Sequence, residues 1–178
     1  HGGNFHGEYV AMEADKLKIA ITKLSMLAER QLNFLMNDKL NKILPSFVNL
    51  GTLGLNLGMQ GAQFTAVSTV AENQTLSNPM SVHSIPNNND NQDIVSMGTN
   101  ASLLTQKVIH NSFEVLAIEL ITLVQAVDYL KFKDKLSDKT KELYNSIRNI
   151  VPVFKDDTIK YEQIKQVTDF VKNSEITL

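Results

Sequence analysis

Residues 8–37 read EYVAMEADKLKIAITKLSMLAERQLNFLMN, and this stretch decides the fold class. Its apolar residues recur at intervals of three and four, which is the spacing of one face of an α-helix. They are Val10, Ala14, Leu17, Ile21, Leu24, Ala28, Leu32 and Leu35. Further apolar residues widen this stripe, so the helix is expected to be buried on most sides. At about 1.5 Å per residue it would be roughly 45 Å long, which suits a helical bundle or the core of an oligomer.

The remaining chain predicts more helices, separated by segments rich in Gly, Pro and Asn. Residues 37–58 contain Pro45 and three glycines, so they are expected to form an irregular connection. A second helix is predicted over Met59–Leu76. A third begins between Asp90 and Asp93, contains Gly98 and ends at about Lys131. Two shorter helices are predicted, one from Ser137 or Asp138 to about Ile150 and one over Tyr161–Lys172. No stretch alternates as a strand would, and no run of about 18 apolar residues could span a membrane. The predicted class is all-α, a long-helix bundle.

The composition excludes several kinds of chemistry. The 178 residues include no Cys, which rules out thiol catalysis and Cys-ligated zinc or iron–sulfur centres. A net charge of −2 with only two Arg argues against nucleic-acid binding. The four His show no metal-ligand spacing, and no Gly-x-Ser-x-Gly, Walker A or Gly-x-Gly-x-x-Gly motif is present. We therefore expect no metal, nucleic acid or membrane as a partner.

Two loops each lie directly before a long predicted helix. Residues 2–8 read GGNFHGE and precede the first helix, and residues 85–93 read IPNNNDNQD and precede the third. Because a helix N-terminus carries partial positive charge, two converging N-termini would favour anionic groups between them. The alternative is that both loops only cap their helices.

Seven motifs, these loops among them, resemble in order and spacing the C-terminal part of the aromatic amino acid ammonia-lyases. They are GGNFHGE (2–8), SMLAER (25–30), GLNLGMQ (54–60), AEN (71–73), SVHSIP (81–86), NQDIVSMG (91–98) and LAIEL (116–120). The resemblance implies the family's helical, fumarase/aspartase-like fold. It divides the chain into a long-helix segment with two active-site loops, 1–130, and a looser C-terminal helical tail, 131–178. It also implies that the chain begins mid-protein, as roughly the last third of a member.

The resemblance implies elimination of ammonia from an aromatic L-amino acid, without a metal or a dissociable cofactor. The family's electrophile is a methylidene-imidazolone that forms from an internal Ala-Ser-Gly. This chain has no such tripeptide, because Ala101-Ser102 is followed by Leu103. The family's lid-loop Tyr, which serves as base, and its Tyr/Arg substrate clamp are also absent. We therefore expect the segment alone to be inactive and to need the remainder of its own chain.

The resemblance assigns three site residues. Phe5 resembles the family's catalytic Phe beside the imidazolone and the substrate; the alternative is a hydrophobic staple for the first helix. Gln92, the second catalytic position, stands where histidine lyases have Glu and phenylalanine or tyrosine lyases have Gln. Asn88 resembles a substrate-binding position. The alternative for Gln92 and Asn88 is capping of the third helix. Since a neutral Gln is no base at pH 7, Gln92 favours Tyr or Phe over His as substrate.

Other polar residues of these motifs are expected to have structural roles. His6 and Asn4 are expected to shape the first loop, Asn91 to cap the third helix, and Glu72 to support helix packing. The resemblance further implies a homotetramer and a cytoplasmic location. Two other functions stay open: a non-catalytic helical oligomerisation module, and a 2,3-aminomutase with the same electrophile and scaffold.

Overall fold

The computed structural model describes residues 5–174, and this part of the chain is helical and contains no strand. Two 3-10 turns, Ser46–Val48 and Lys133–Lys135, lie between the helices. The helices are α1 (Glu8–Met36), α2 (Asp38–Asn41), α3 (Gln60–Leu76), α4 (Gly98–Leu130), α5 (Asp138–Ile150) and α6 (Tyr161–Asn173). The predicted all-α class is therefore confirmed.

Helices α1, α3, α5 and α6 have the predicted bounds to within one or two residues, because local sequence signals mark their ends. Gly7 adopts a φ of +69° directly before α1, and its carbonyl accepts the Val10 amide at 3.0 Å. Ser137 caps α5, since its side chain accepts the Thr140 amide at 3.3 Å.

Helix α4 begins later than predicted, at Gly98 instead of between Asp90 and Asp93. The reason is the backbone of Asn88, Asn89 and Asp90, whose φ values of 53°, 56° and 61° are left-handed and exclude an α-helix there. Gly98 is thus the first residue of α4 and does not interrupt it. The capping roles offered as alternatives for Asn88, Gln92 and Asn91 are wrong, because all three lie well before the helix.

The connection after α1 is more ordered than predicted, since it holds α2 and the first 3-10 turn. Asn41 explains part of this order. Its side-chain amide donates to the carbonyls of Phe34 and Leu35 at 3.0 and 3.1 Å. The last carbonyls of a helix lack intrahelical donors, so Asn41 provides hydrogen-bond donors for two carbonyls in the last turn of α1.

The chain is divided into two compact units. Unit 1 comprises the residues up to Met26 and Thr69–Ser112, and unit 2 comprises Leu27–Ser68 and the residues from Phe113 onwards. The division of the chain at residue 130 stays a prediction about its organisation.

Unit 2 contains the main apolar core. Helices α5 and α6, the second half of α4 and the segment around α2 all contribute fully buried side chains. Its most buried members include Leu32, Val48, Met59, Ile118, Ile121, Ile147, Val151 and Val167. At the edge of this core the Tyr144 hydroxyl donates to Asp128 at 2.5 Å, and burial together with this bond raises the pKa of Tyr144.

Unit 1 has a more polar interior, centred on Asn73 of α3, which is fully buried. Its side-chain amide donates to the hydroxyls of Ser25 on α1 and Ser112 on α4, both at 3.2 Å. Its side-chain oxygen accepts from Asn111 at 3.0 Å. Because a buried amide must find partners, this network specifies how the three helices pack in unit 1.

Helix α1 is less buried than its apolar stripe predicts. Tyr9, Val10 and Leu24 keep 70%, 59% and 60% of their surface exposed. The nearly all-round burial expected from the sequence is therefore not reached within this chain. None of the described helices has the length and apolarity needed to cross a membrane.

Candidate active site

The first candidate loop turns into α1 with its aromatic ring uncovered. Phe5 is 80% exposed, and its ring meets the His6 ring edge-on, with centroids 5.1 Å apart. A ring this exposed does not staple α1, which removes the structural alternative for Phe5. His1, Gly2, Gly3 and Asn4 lie outside the described residues, so the role expected of Asn4 stays a prediction.

The second candidate loop contains a tight turn instead of a helix start. The backbones of Asn87 and Gln92 exchange two hydrogen bonds, at 3.0 and 3.3 Å. Between them Asn88, Asn89 and Asp90 are left-handed, a conformation that Asn and Asp tolerate better than most residues. The run of Asn and Asp therefore builds this turn. Asn88 is exposed on it, and Gln92 is half-buried at its end.

The structure brings the two loops together within unit 1. The Ser96 hydroxyl, just after the turn, donates to the His6 carbonyl of the first loop. A Cβ at Gly98 would lie 3.8 Å from the Gly7 oxygen and 3.9 Å from the Ala11 amide nitrogen. The first turns of α1 and α4 therefore adjoin, and their free amides favour partial negative charge.

A groove of about 940 Å³ lies beside this junction. It is lined by the N-terminal halves of α1 and α4 and by the residues directly before each helix, among others by His6, Gly7, Val10, Ser96, Leu103 and Gln106. Phe5, Asn88 and Gln92 do not line it. No hydrogen bond within residues 5–174 joins the side chain of Gln92 or Asn88 to the first loop. The structure thus brings the loops into contact without joining the three predicted site side chains directly.

A buried ion pair on α1 was not singled out from the sequence. Lys18 is completely buried, and its Nζ lies 2.8 Å from Oδ1 of Asp15. Burial alone would raise the pKa of Asp15. Hydrogen bonds from Lys18 and from the backbone amides of Ser81 and Met80 outweigh it and lower the pKa from 3.8 to about 2. No sequence signal identifies this pair, because Glu13 and Lys16 have the same spacing and stay exposed.

Glu72 is exposed, and it lies beside the polar interior of unit 1. It accepts a hydrogen bond from Asn111 at 2.6 Å and lies 3.7 Å from the Lys107 ammonium. Among residues 5–174, no three His, Asp or Glu side chains converge where an ion could be held.

The comparisons with known proteins identify the family. Residues 1–149 match the model of the family described as "Aromatic amino acid lyase". The chain is 45% identical over 173 residues to a histidine ammonia-lyase of Macrococcus caseolyticus, covering 97% of this chain and 34% of that protein. It is 41% identical to an MIO-dependent tyrosine 2,3-aminomutase of Streptomyces globisporus, covering 98% of this chain and 32% of that protein. The chain therefore belongs to the aromatic amino acid lyase family.

A solved structure agrees with this assignment. The crystal structure of the tyrosine aminomutase from Streptomyces globisporus superposes with a TM-score of 0.93 at 41% identity, over 96% of this chain and 32% of that one. The predicted helical fold of the family is confirmed. The chain spans about a third of the length of the relatives it matches.

Proposed function

We propose that the whole protein is an ammonia-lyase that removes ammonia from an aromatic L-amino acid, with Tyr or Phe preferred and His possible. The observation that carries this proposal is the junction of two family motifs. The loop before α1 and the loop before α4 meet through Ser96 and His6, where two helix N-termini adjoin. Membership in the family and relatives that act on histidine and tyrosine support it.

The residues at this junction suit the methylidene-imidazolone that the family implies. When present, this group supplies an electrophile that makes the substrate amine a better leaving group. The adjoining N-termini of α1 and α4 offer unpaired amides that stabilise a partly negative oxygen. The exposed Phe5 ring offers an apolar wall that excludes water from one side. The Ala-Ser-Gly that forms the group is not in this sequence, so the segment alone is expected to be inactive.

Gln92 and Asn88 act, in this proposal, on the substrate. Gln92 offers a neutral amide near the substrate amine, able to donate and accept hydrogen bonds but not to take up a proton at pH 7. Asn88 offers a second amide on a turn whose reciprocal hydrogen bonds limit its motion. A neutral amide suits a phenyl or phenol ring better than an imidazole that would pair with a carboxylate. This is the reason for preferring Tyr or Phe.

The whole protein is further proposed to be a cytoplasmic homotetramer. Exposed apolar side chains along α1, such as Tyr9, Val10 and Leu24, support self-association, because a soluble protein rarely leaves large apolar patches uncovered. Light scattering on the full-length protein tests the tetramer.

Turnover by the full-length enzyme tests the main proposal. L-Tyr, L-Phe and L-His are supplied separately, and the absorbance of the α,β-unsaturated acid is followed. We expect kcat/KM to be highest for Tyr or Phe. A clear preference for His would overturn the substrate assignment, and the formation of neither ammonia nor a β-amino acid would leave the non-catalytic oligomerisation module.

A 2,3-aminomutase is the second candidate. It is favoured by the similarity to the Streptomyces tyrosine aminomutase in both sequence and structure. A mutase retains the amine in a β-amino acid, whereas a lyase releases it as ammonia. Chromatography of the products therefore separates the two reactions.

A further inference from the structure

Two ion pairs on α1 have the same spacing and opposite environments. Glu13 and Lys16 pair at 2.6 Å with about two thirds of each side chain exposed. Asp15 and Lys18 pair at 2.8 Å with 4% and 0% exposed. A buried pair gains little net stability, because removing two charges from water costs about as much as their attraction returns. The buried pair therefore calls for an explanation beyond stability.

Both members of the buried pair also bind the segment that follows α3. The Lys18 ammonium donates to the carbonyl of Asn78 at 2.9 Å. The Asp15 carboxylate accepts the Ser81 backbone amide at 2.7 Å. Each charge thus has a partner in the pair and a partner in the loop. The lowered pKa of Asp15 keeps its carboxylate charged at neutral pH.

The far end of the same segment is held at the start of α1. Ser96 donates to the His6 carbonyl. Within the segment itself, the Val95 amide donates to the hydroxyl of Ser84 at 2.9 Å. The turn that carries Asn88 and Gln92 therefore lies between two attachments: the contacts with Asp15 and Lys18 at one end and the Ser96–His6 hydrogen bond at the other. The backbone hydrogen bonds of the turn join its own residues. The position of the turn relative to the first loop therefore depends on the two attachments.

We propose that the Asp15–Lys18 pair is a positioning device for the candidate active site. It fixes the start of the segment 78–96 and thereby the location of Asn88 and Gln92 relative to Phe5. Its effect on catalysis rests on the proposed function, whereas its effect on the order of the segment does not. Asp15 and Lys18 act through Gln92 and have no contact with substrate in this proposal.

The test uses the full-length enzyme and a neutral replacement of the pair. In Asp15→Leu/Lys18→Met both loop contacts disappear and no unpaired charge stays buried. Because apolar replacements of a buried ion pair are often neutral or stabilising, we expect the melting temperature to stay close to that of the wild type. Lys16→Met, which removes the exposed pair of the same spacing, is the matched control. Lys18→Arg tests whether a conservative cation rescues activity.

Two readouts separate positioning from a general loss of stability. Hydrogen exchange of peptides covering residues 81–97 should accelerate in the double variant, with exchange of α1, α3 and α4 unchanged. The kcat/KM of the double variant for the substrate that the wild-type enzyme prefers should fall about tenfold to a hundredfold, since small misplacements of a binding group have effects of this size. When Gln92→Ala is already present, adding Asp15→Leu/Lys18→Met should lower kcat/KM much less, because the side chain that the ion pair positions is gone.

The outcomes distinguish this inference from the proposed function. Unchanged exchange in 81–97, or a loss of kcat/KM that is fully additive with Gln92→Ala, would overturn the positioning role. If Asp15→Leu/Lys18→Met does not fold, Asp15→Asn/Lys18→Met, which likewise leaves no unpaired buried charge, is measured by the same exchange experiment. If the wild-type enzyme turns over none of the three amino acids, the proposed function fails. Faster hydrogen exchange of residues 81–97 in the double variant would then still support the role of the ion pair in ordering this segment.

Discussion

The aromatic ring of Phe5 is exposed to solvent just before α1. Burying such a ring stabilises a protein by up to a few kcal/mol, so an uncovered one gains nothing for the fold. The ring is therefore available to a ligand or to another part of the protein. Gln92 differs, because it is half-buried and its backbone closes a turn. The two residues consequently predict different effects of substitution.

Phe5→Ala in the full-length enzyme is expected to lower kcat by about a hundredfold, since the wall beside the reacting group is lost. The melting temperature should not fall, because the ring contributes little burial. Phe64→Ala, which removes another exposed ring (69% exposed), is the control and should leave kcat unchanged. Near-normal turnover by Phe5→Ala would contradict the assignment of Phe5.

Gln92→Glu is expected to move substrate preference away from Tyr and Phe and toward His. A carboxylate can pair with an imidazole, whereas beside an apolar ring it stays unpaired and costs binding energy. The measurement is the ratio of kcat/KM values for the three amino acids, with an expected change of about tenfold or more. Gln74→Glu on the exposed face of α3 serves as control. Equal ratios in both variants would argue against a role for Gln92.

At the scale of elements, α1, α3 and α4 meet in unit 1 through amides and hydroxyls. The position of Asn73 within the network depends on Ser25, Ser112 and Asn111, which are remote in sequence. Such a network specifies one arrangement of helices, because any shift leaves buried polar atoms without partners.

Asn73→Leu is expected to reduce the free energy of unfolding by about 2 kcal/mol or more, since it leaves several buried polar groups unsatisfied. Urea denaturation with an unchanged m value measures this loss. Gln74→Leu, the adjacent exposed position, should change the free energy of unfolding by less than about 0.5 kcal/mol. Equal effects of the two substitutions would show that the network does not stabilise unit 1.

At the scale of the whole molecule, unit 2 joins segments about a hundred residues apart in sequence. The Asp157 carboxylate accepts the backbone amides of Leu57 and Gly58, the former at 2.9 Å. Gly51 packs against the same tail segment. A Cβ there would overlap the Lys155 carbonyl and come within 2.5 Å of the Asn56 side-chain oxygen. The absence of a side chain at Gly51 therefore permits this long-range contact.

Gly51→Ala is expected to destabilise the protein by about 2 kcal/mol, because backbone must shift to make room. Gly61→Ala, at a helical position with open space around it, should instead stabilise by up to about 1 kcal/mol. Thermal denaturation of both variants compares them directly. A melting temperature of Gly51→Ala at or above the wild-type value would contradict the packing described for unit 2.

The amino-acid sequence alone was sufficient for the all-α class, for the family and for four of the six helices. Helical periodicity is a local property, so α1, α3, α5 and α6 were predicted nearly to the residue. The family motifs could be read directly, and they pointed to the two loops that the structure brings together. The sequence did not show where α4 begins, because Asn and Asp serve equally as helix caps and as left-handed turn residues.

Tertiary structure alone decided which of these local possibilities is realised. Lys16 and Lys18 stand two residues apart in one helix, each three residues after a carboxylate. One is exposed and the other is fully buried. The difference comes from Asn78 and Ser81, which contact α1 from 60 and 66 residues away in the sequence. Burial and hydrogen bonding depend on such distant segments, and no local pattern in the sequence encodes where they will lie.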